Sequence, residues 1–277
     1  MMNALLAIAR TEARLGFRNS WVLLSTVILT LFAVLLVLLG SGASGQVDAP
    51  LLSVSIASLS TLSVYLIPLI ALLLSFDAIA GEIDRGTLQL VLATPIPRWQ
   101  LLAGKFLGHL AVLSIAIIVS SGIAAALAIA LDDQGGAQPL GDLAALTATS
   151  ILLGAVFIAI GYVASASVRQ TGTAAALAVG IWLAAVVLYD LALLGGLLAS
   201  GEGVFARSVF PWLLLVNPAD AFRLFNMSAT DASLAQAGLG SVSGSPLAQG
   251  AWVLASPVAW TLAAILFAVV LLRRVRP

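Results

Sequence analysis

Long apolar runs, each interrupted by a few polar residues, set the pattern of this chain. A helix needs about 20 apolar residues to cross a hydrocarbon core about 30 Å thick. Six runs reach that length: Trp21–Leu39, Leu52–Phe76, Phe106–Leu131, Leu143–Val168, Thr173–Leu194 and Ala251–Leu272. The pattern predicts an all-α polytopic membrane protein with six transmembrane helices, one transmembrane domain over residues 1–277. The longer runs can tilt or project beyond the core. Pro68 and Pro257 fall inside the second and sixth runs, where a bundle tolerates proline at a kink. The outer half of the second run is rich in hydroxyls: Ser53, Ser55, Ser58, Ser60, Thr61 and Ser63. They suit either helix–helix hydrogen bonds or a shallow outward cavity.

Between the runs the polar segments differ in kind. Asn3 to Asn19 places Arg10, Arg14 and Arg18 four apart, with Leu5, Leu6, Ile8, Leu15 and Phe17 as apolar surface. That spacing predicts an interfacial amphipathic helix with its arginines among the lipid headgroups. No A-x-A-like cleavage site follows, so the first run is expected to stay as a span. The loop 77–105 gathers Asp77, Glu82, Asp84, Arg85, Arg98 and Lys105, in a chain with only 9% charged residues. Asp77, Gly81, Asp84 and Leu88 share one helical face, and Glu82 and Arg85 are spaced to pair on a neighbouring one. Gly86–Thr87 interrupts the helix and Pro95–Ile96–Pro97 ends it. The fourth connection, Arg169–Gln170–Thr171–Gly172, is too short for a second docking helix.

The loop 195–250 is the long one. Phe210–Val216 is apolar but too short to span, and reads as a re-entrant or interfacial segment. Asn217–Pro218–Ala219–Asp220 is a strong helix start, with Asn as cap, Pro first and Asp third. A second start is expected at Thr230–Asp231, with a stop at Gly238 and a loose Gly/Ser stretch to Gly250. The loop is either a capped surface loop or a platform for an external protein.

Charge then sets the orientation. Arg10, Arg14, Arg18, Arg85, Arg98, Lys105, Arg169, Arg273, Arg274 and Arg276 fall on one side, only Arg207 and Arg223 on the other. Ten against two predicts both termini in the cytoplasm. The opposite side is acidic, with Asp48, Asp132, Asp133, Asp142, Glu202, Asp220 and Asp231. A net charge of zero leaves no nucleic-acid footprint.

The chemistry expected of the chain is narrow. It has no cysteine, so neither a disulfide nor a thiolate site forms. It has no G-x-x-x-x-G-K-[ST] motif, so any ATPase belongs to another polypeptide and no enzymatic centre is expected. A soft-metal conduit needs thioether or imidazole ligands in succession. Beyond Met1 and Met2 there are only His109 and Met227, at opposite ends of the bundle, so no copper path is expected. Asp190 is eighteen residues past Gly172, about 27 Å along a helix and near the outer surface. Four residues past Lys105, His109 lies roughly 6 Å inside the inner boundary. Neither is at mid-depth, where an ion-coupled carrier would hold a charge. They read as an interfacial and a packing residue.

The order E-x-D-R-G-T-L-x-x-x-L-A-T-P-x-x-R, Glu82 to Arg98, followed by L-x-G-K, Leu102 to Lys105, resembles the first cytoplasmic loop of ABC-2 type transporter permeases. The resemblance implies a coupling helix seated on a separate ATPase subunit through Asp77, Glu82, Asp84, Arg85, Gly86, Thr87 and Arg98. It also implies an N-terminal elbow helix. Within the family, Phe76–Gly108 and Leu213–Ser228 (LLLVNPADAFRLFNMS) are similar to the branch serving nitrous oxide reductase maturation. That similarity implies a homodimer in the bacterial inner membrane, with two ATPase copies carrying ATP and Mg. It also implies a periplasmic β-helix copper-processing partner, docked through Asn217, Pro218, Asp220, Arg223, Met227 and Asp231. The alternatives are an ABC-2 exporter of a small amphiphile, drug or lipid, and an ion-driven secondary carrier.

Overall fold

The computed structural model describes residues 2–18, 20–44, 51–93, 96–131, 137–200, 203, 205–227 and 250–274. Among them every regular element is helical. Six helices are long and apolar enough to cross a membrane: Val22–Gly40, Ser55–Asp84, Arg98–Leu131, Pro139–Ser167, Thr171–Ser200 and Ala251–Arg273. In chain order the elements are α1 (Met2–Phe17), α2 (Ser20–Ser44), α3 (Leu51–Ser75), α4 (Ala80–Asp84), α5 (Leu88–Leu92), α6 (Arg98–Leu131) and α7 (Ala137–Ser167). Then come α8 (Thr171–Trp182), a π-helical stretch (Leu183–Leu188), α9 (Tyr189–Ser200), a second π turn (Phe205–Val209), α10 (Phe210–Val216) and α11 (Pro218–Met227). A 3₁₀ turn (Ala251–Leu254) leads into α12 (Ala255–Arg274).

α3 and α7 form the centre of the bundle, flanked by α2, α6 and α12. Their shared core includes Ile67, Leu72, Leu153, Phe157 and Tyr162, all fully buried. α8 and α9 present most of their surface outward. Apolar exposure on this scale suits a lipid solvent and would be unusual in water. A second, smaller core joins Leu193 of α9 to Phe210, Leu214, Leu224 and Met227. The two ends of the bundle thus differ: one carries α1, α4 and the last turns of α12, the other α10 and α11.

The structure moves several expected boundaries. α6 begins at Arg98 rather than Phe106, so the last eight residues of the expected loop 77–105 are helix. The fifth long helix runs on to Ser200, past the start expected for the loop 195–250. α7 begins at Ala137 and absorbs Asp142. At α6 and α7 polar residues occupy a helix end that projects beyond an apolar run, and hydropathy alone cannot see them; in the fifth helix the pair Gly195–Gly196 reads as a break that the helix passes through. Thr94, Pro95, Asp48, Asp132, Asp133, Glu202 and Arg276 lie outside the described residues, as does the helix expected at Thr230–Asp231.

The close approach of α1 to α6 has a sequence cause. Gly104 and Gly108 are one helical turn apart on α6 and face α1. A Cβ on Gly108 would stand 2.6 Å from Glu12 Cβ and 2.9 Å from the Ala9 carbonyl oxygen. One on Gly104 would stand 2.8 Å from Ile8 and 3.1 Å from the Leu5 carbonyl oxygen. Small residues at this spacing let two backbones approach closely in a membrane.

This contact gives an opposite-sign pair of substitutions on one helix. Gly108→Ala adds a methyl where backbone must shift, and should destabilise by about 1–3 kcal/mol. Gly122→Ala meets nothing within 4 Å, and should gain up to about 1 kcal/mol of helix propensity. Unfolding of both variants in mild detergent measures the contrast.

Candidate functional site

α4 is a helix of five residues, too short to be stable alone. Its stability comes from fixation at three points. Its N-cap residue Ile79 supplies no side-chain cap. Ser165 of α7 does so instead, its Oγ accepting the Ile79 and Ala80 N–H groups at 2.9 Å each. The helix stops in a Schellman motif: the Gly86 N–H reaches the Ile83 carbonyl (3.0 Å) and the Thr87 N–H reaches that of Glu82 (2.9 Å). Gly86 sits at φ +69°, the left-handed conformation that such an ending requires.

The second point is Lys105 of α6. Its ammonium lies 2.7 Å from Glu82 Oε1 of α4 and 2.5 Å from Glu12 Oε1 of α1. Only 6% of the Lys105 side chain is exposed, against 16% for Glu12 and 15% for Glu82. His109, one turn on, places Nε2 3.8 Å from Glu12 Oε2 and shares a 2.6 Å hydrogen bond between Nδ1 and Tyr162 Oη. Its ring stacks on Tyr162 at 24°. The third point is Asp84. Its Oδ2 accepts from the Thr171 hydroxyl (2.9 Å) and N–H (3.3 Å). Thr171 opens α8, whose own N-cap, Gln170, makes no side-chain cap bond. An acid at a helix N-terminus is favourably placed against the helix dipole.

The sequence-predicted residues therefore divide. Glu82 is committed to Lys105 rather than to Arg85, contrary to the pairing its spacing suggests. The Arg85 guanidinium instead lies over Gly81, beside half-buried Asp77. Arg98 donates Nη1–H to the Leu272 carbonyl of α12 at 2.6 Å. Asp84, Arg85, Gly86 and Thr87 are exposed, followed by Gln89 and by Leu90 at 73% exposure. Sequence reasoning misses Leu90, Ser165 and Glu12. Leu90 has an interior residue type in an exposed place; nothing in the local sequence pairs Ser165 or Glu12 with α4.

At the opposite end, α11 starts where its cap signal predicts. Asn217 Oδ1 accepts the Ala219 N–H (3.0 Å), and its Nδ2–H donates to the Ala185 carbonyl (2.7 Å) inside the π stretch. Arg223 grips Asp190 of α9 with two bonds, 2.9 and 3.0 Å. Asp220 Oδ1 is 3.6 Å from the same guanidinium, and Tyr65 of α3 donates to Asp190 Oδ2 at 3.3 Å. Asn217, Pro218, Asp220, Arg223 and Met227 are all buried, holding α11 against the bundle. Asp231 lies outside the described residues. Asp220 Oδ2 and Arg223 Nε are buried without a hydrogen-bond partner. Burial pushes the Asp220 carboxyl from 3.8 up to about 7, with Arg223 pulling the other way and Asp190 adding to the rise.

Residues 6–275 match the family described as ABC-2 family transporter protein. The chain is 41% identical over 277 residues to "Probable ABC transporter permease protein NosY" of Stutzerimonas stutzeri, covering 99% of each chain. It is also 41% identical over 268 residues to the protein of the same name from Pseudomonas aeruginosa, covering 96% of this chain and 97% of that one.

Two outcomes test the site. Lys105→Met leaves two buried carboxylates without their cation, and should cost about 3–5 kcal/mol of stability. Adding Glu12→Gln and Glu82→Gln should restore part of it; thermal unfolding in detergent measures both. The second outcome concerns pH. The folded protein holds the Asp220 proton more tightly than the unfolded chain, whose value is the ordinary 3.8. Asp220 therefore contributes stability that is complete below about pH 4 and lost as pH rises through about 7. Melting temperature should fall across that window, and Asp220→Asn should flatten the fall.

Proposed function

Because this chain belongs to the ABC-2 transporter family, we propose that it is the membrane subunit through which a separate ATPase drives a partner across the bilayer. Permeases of this family imply an ATPase partner, and this chain has no P-loop of its own. The basic residues assign the α4 end to the cytoplasm and the α11 end to the periplasm. Both termini then lie in the cytoplasm, and the membrane is a bacterial inner membrane. The likeness to the two NosY proteins supports a narrower reading: assembly of the copper centre of nitrous oxide reductase. In that reading a homodimer binds two ATPases inside and a β-helix copper-processing protein outside.

One observation carries the coupling role. Among the described short helices, α4 alone has polar ties to α6, α7 and α8, and the chain directly after it exposes Arg85, Gly86, Thr87, Gln89 and Leu90. A push on that surface reaches the third span through Glu82, the fourth through Ser165 and the fifth through Asp84. The fifth span meets α11 by way of Asp190 and Arg223, and so meets the segment before the last span. No solute need cross for this to operate.

The mechanical reading singles out exposed residues over buried ones. Leu90→Asp should reduce co-purification of the ATPase by about tenfold or more, as loss of one interfacial apolar anchor can, without lowering the melting temperature of the permease. Deletion of residues 228–249 should abolish capture of the periplasmic partner while ATPase binding persists. Under the alternative, an exporter of a small amphiphile, drug or lipid, the same deletion should leave transport intact.

A further inference from the structure

α1 turns its six bundle-facing residues, Leu5, Ile8, Ala9, Glu12, Ala13 and Gly16, away from free solvent. The opposite side carries Arg10, Arg14 and Arg18, all exposed. None of the three forms an ion pair with a described residue. At 100° per residue they occupy about 80° of the helix circumference, with Leu6 and Phe17 within about 40° of Arg10 on one flank. Leu6 is 52% and Phe17 48% exposed. Such a face pairs three unneutralised guanidiniums with unpartnered apolar bulk.

Its depth is fixed by the chain. Arg18 lies four residues before Val22, where the first long apolar helix begins. Arg18 directly follows the last residue of α1, Phe17, and basic residues just ahead of a span sit at its headgroup layer; Arg14 and Arg10 precede Arg18 by about one and two helical turns. We propose that the Arg10–Arg14–Arg18 face of α1 binds anionic phospholipid headgroups, and that Glu12–Lys105–Glu82 connects its occupancy to α4. The charge and the flanking Leu6 and Phe17 select a lipid, with phosphate above and acyl chain below. Glu12, the only acid on α1, points inward to Lys105 and does not offset the arginines. Through that one ammonium the lipid-bound helix and the α4 surface are mechanically adjacent: two contacts, 2.5 and 2.7 Å, separate them. The lipid site stands on the structure of α1 alone; its effect on ATP hydrolysis rests on the coupling role proposed above.

The test uses the permease with its ATPase in nanodiscs of phosphatidylcholine, with or without about a third phosphatidylglycerol. Native mass spectrometry of the permease released from mixed discs counts retained lipid. Each basic residue near an anionic surface favours it roughly fivefold, so phosphatidylglycerol should be enriched at least about fivefold on the wild type. Enrichment should be lost in R10Q/R14Q/R18Q and kept in the matching triple lysine variant, with unfolding temperatures unchanged in both. ATPase rate should depend on phosphatidylglycerol in the wild type and lose that dependence in the triple Gln variant and in Lys105→Gln. Equal retention of both lipids by the wild type, or undiminished enrichment in the triple Gln variant, overturns the site. Lipid dependence of the ATPase that survives Lys105→Gln overturns the connection. Failure of any ATPase to associate overturns the coupling role and leaves the retention measurement able to decide the lipid site by itself.

Discussion

An ammonium with 6% of its side chain exposed, at the edge of a low-dielectric slab, is tenable only with acid partners at contact distance. Lys105 has two, on different elements. The requirement runs both ways, because Glu12 and Glu82 are themselves mostly buried and repel each other without it. Each of α1, α4 and α6 is thus held where the other two put it. α4, five residues long, could not be placed by packing alone, whereas α1 is held as well by its close approach to Gly104 and Gly108 of α6. The ion triad converts three independent pieces into one rigid corner.

The α11 end repeats the arrangement with different parts. Again one cation, Arg223, serves two acids, Asp190 and Asp220. Again a short non-spanning helix is fastened to a long one. Each end leaves one carboxylate oxygen buried without a partner, Glu82 Oε2 at one and Asp220 Oδ2 at the other. The ends differ in how the cation divides itself: Lys105 contacts both of its carboxylates closely, whereas Arg223 gives both short bonds to Asp190 and leaves Asp220 at 3.6 Å. A buried acid in that position holds its proton, which is why its titration moves to about 7. The corner at α4 is built to stay closed, and the one at α11 has a second acceptor in waiting.

How much of this the sequence shows depends on how far apart the interacting residues are. The spans are visible because about 20 apolar residues in a row have few other uses. The ends of α4 and α11 are visible because Gly86 and Asn217–Pro218 act on their own neighbours. The same local logic misassigns Glu82 to Arg85: spacing ranks Arg85 first, but Lys105 offers a buried site where the interaction is stronger. Arg223 and Asp190 are 33 residues apart, and Ser165 is 86 from Ile79. No periodicity connects such pairs. The early start of α6 is hidden because its first turns, Arg98 to Lys105, are polar enough to read as loop.

The π stretch at Leu183–Leu188 is invisible as well, since Leu-Ala-Ala-Val-Val-Leu is ordinary helix composition. There the Tyr189 N–H reaches back five residues to Ala184, and the next carbonyl, Ala185, takes Asn217. One surplus residue per turn rotates everything after it by about 100° relative to an unbroken α-helix. The outward stripe of α8 consequently does not continue along α9. A helical wheel drawn across the whole of the fifth span would assign residues beyond 188 to the wrong side, so each half needs a wheel of its own.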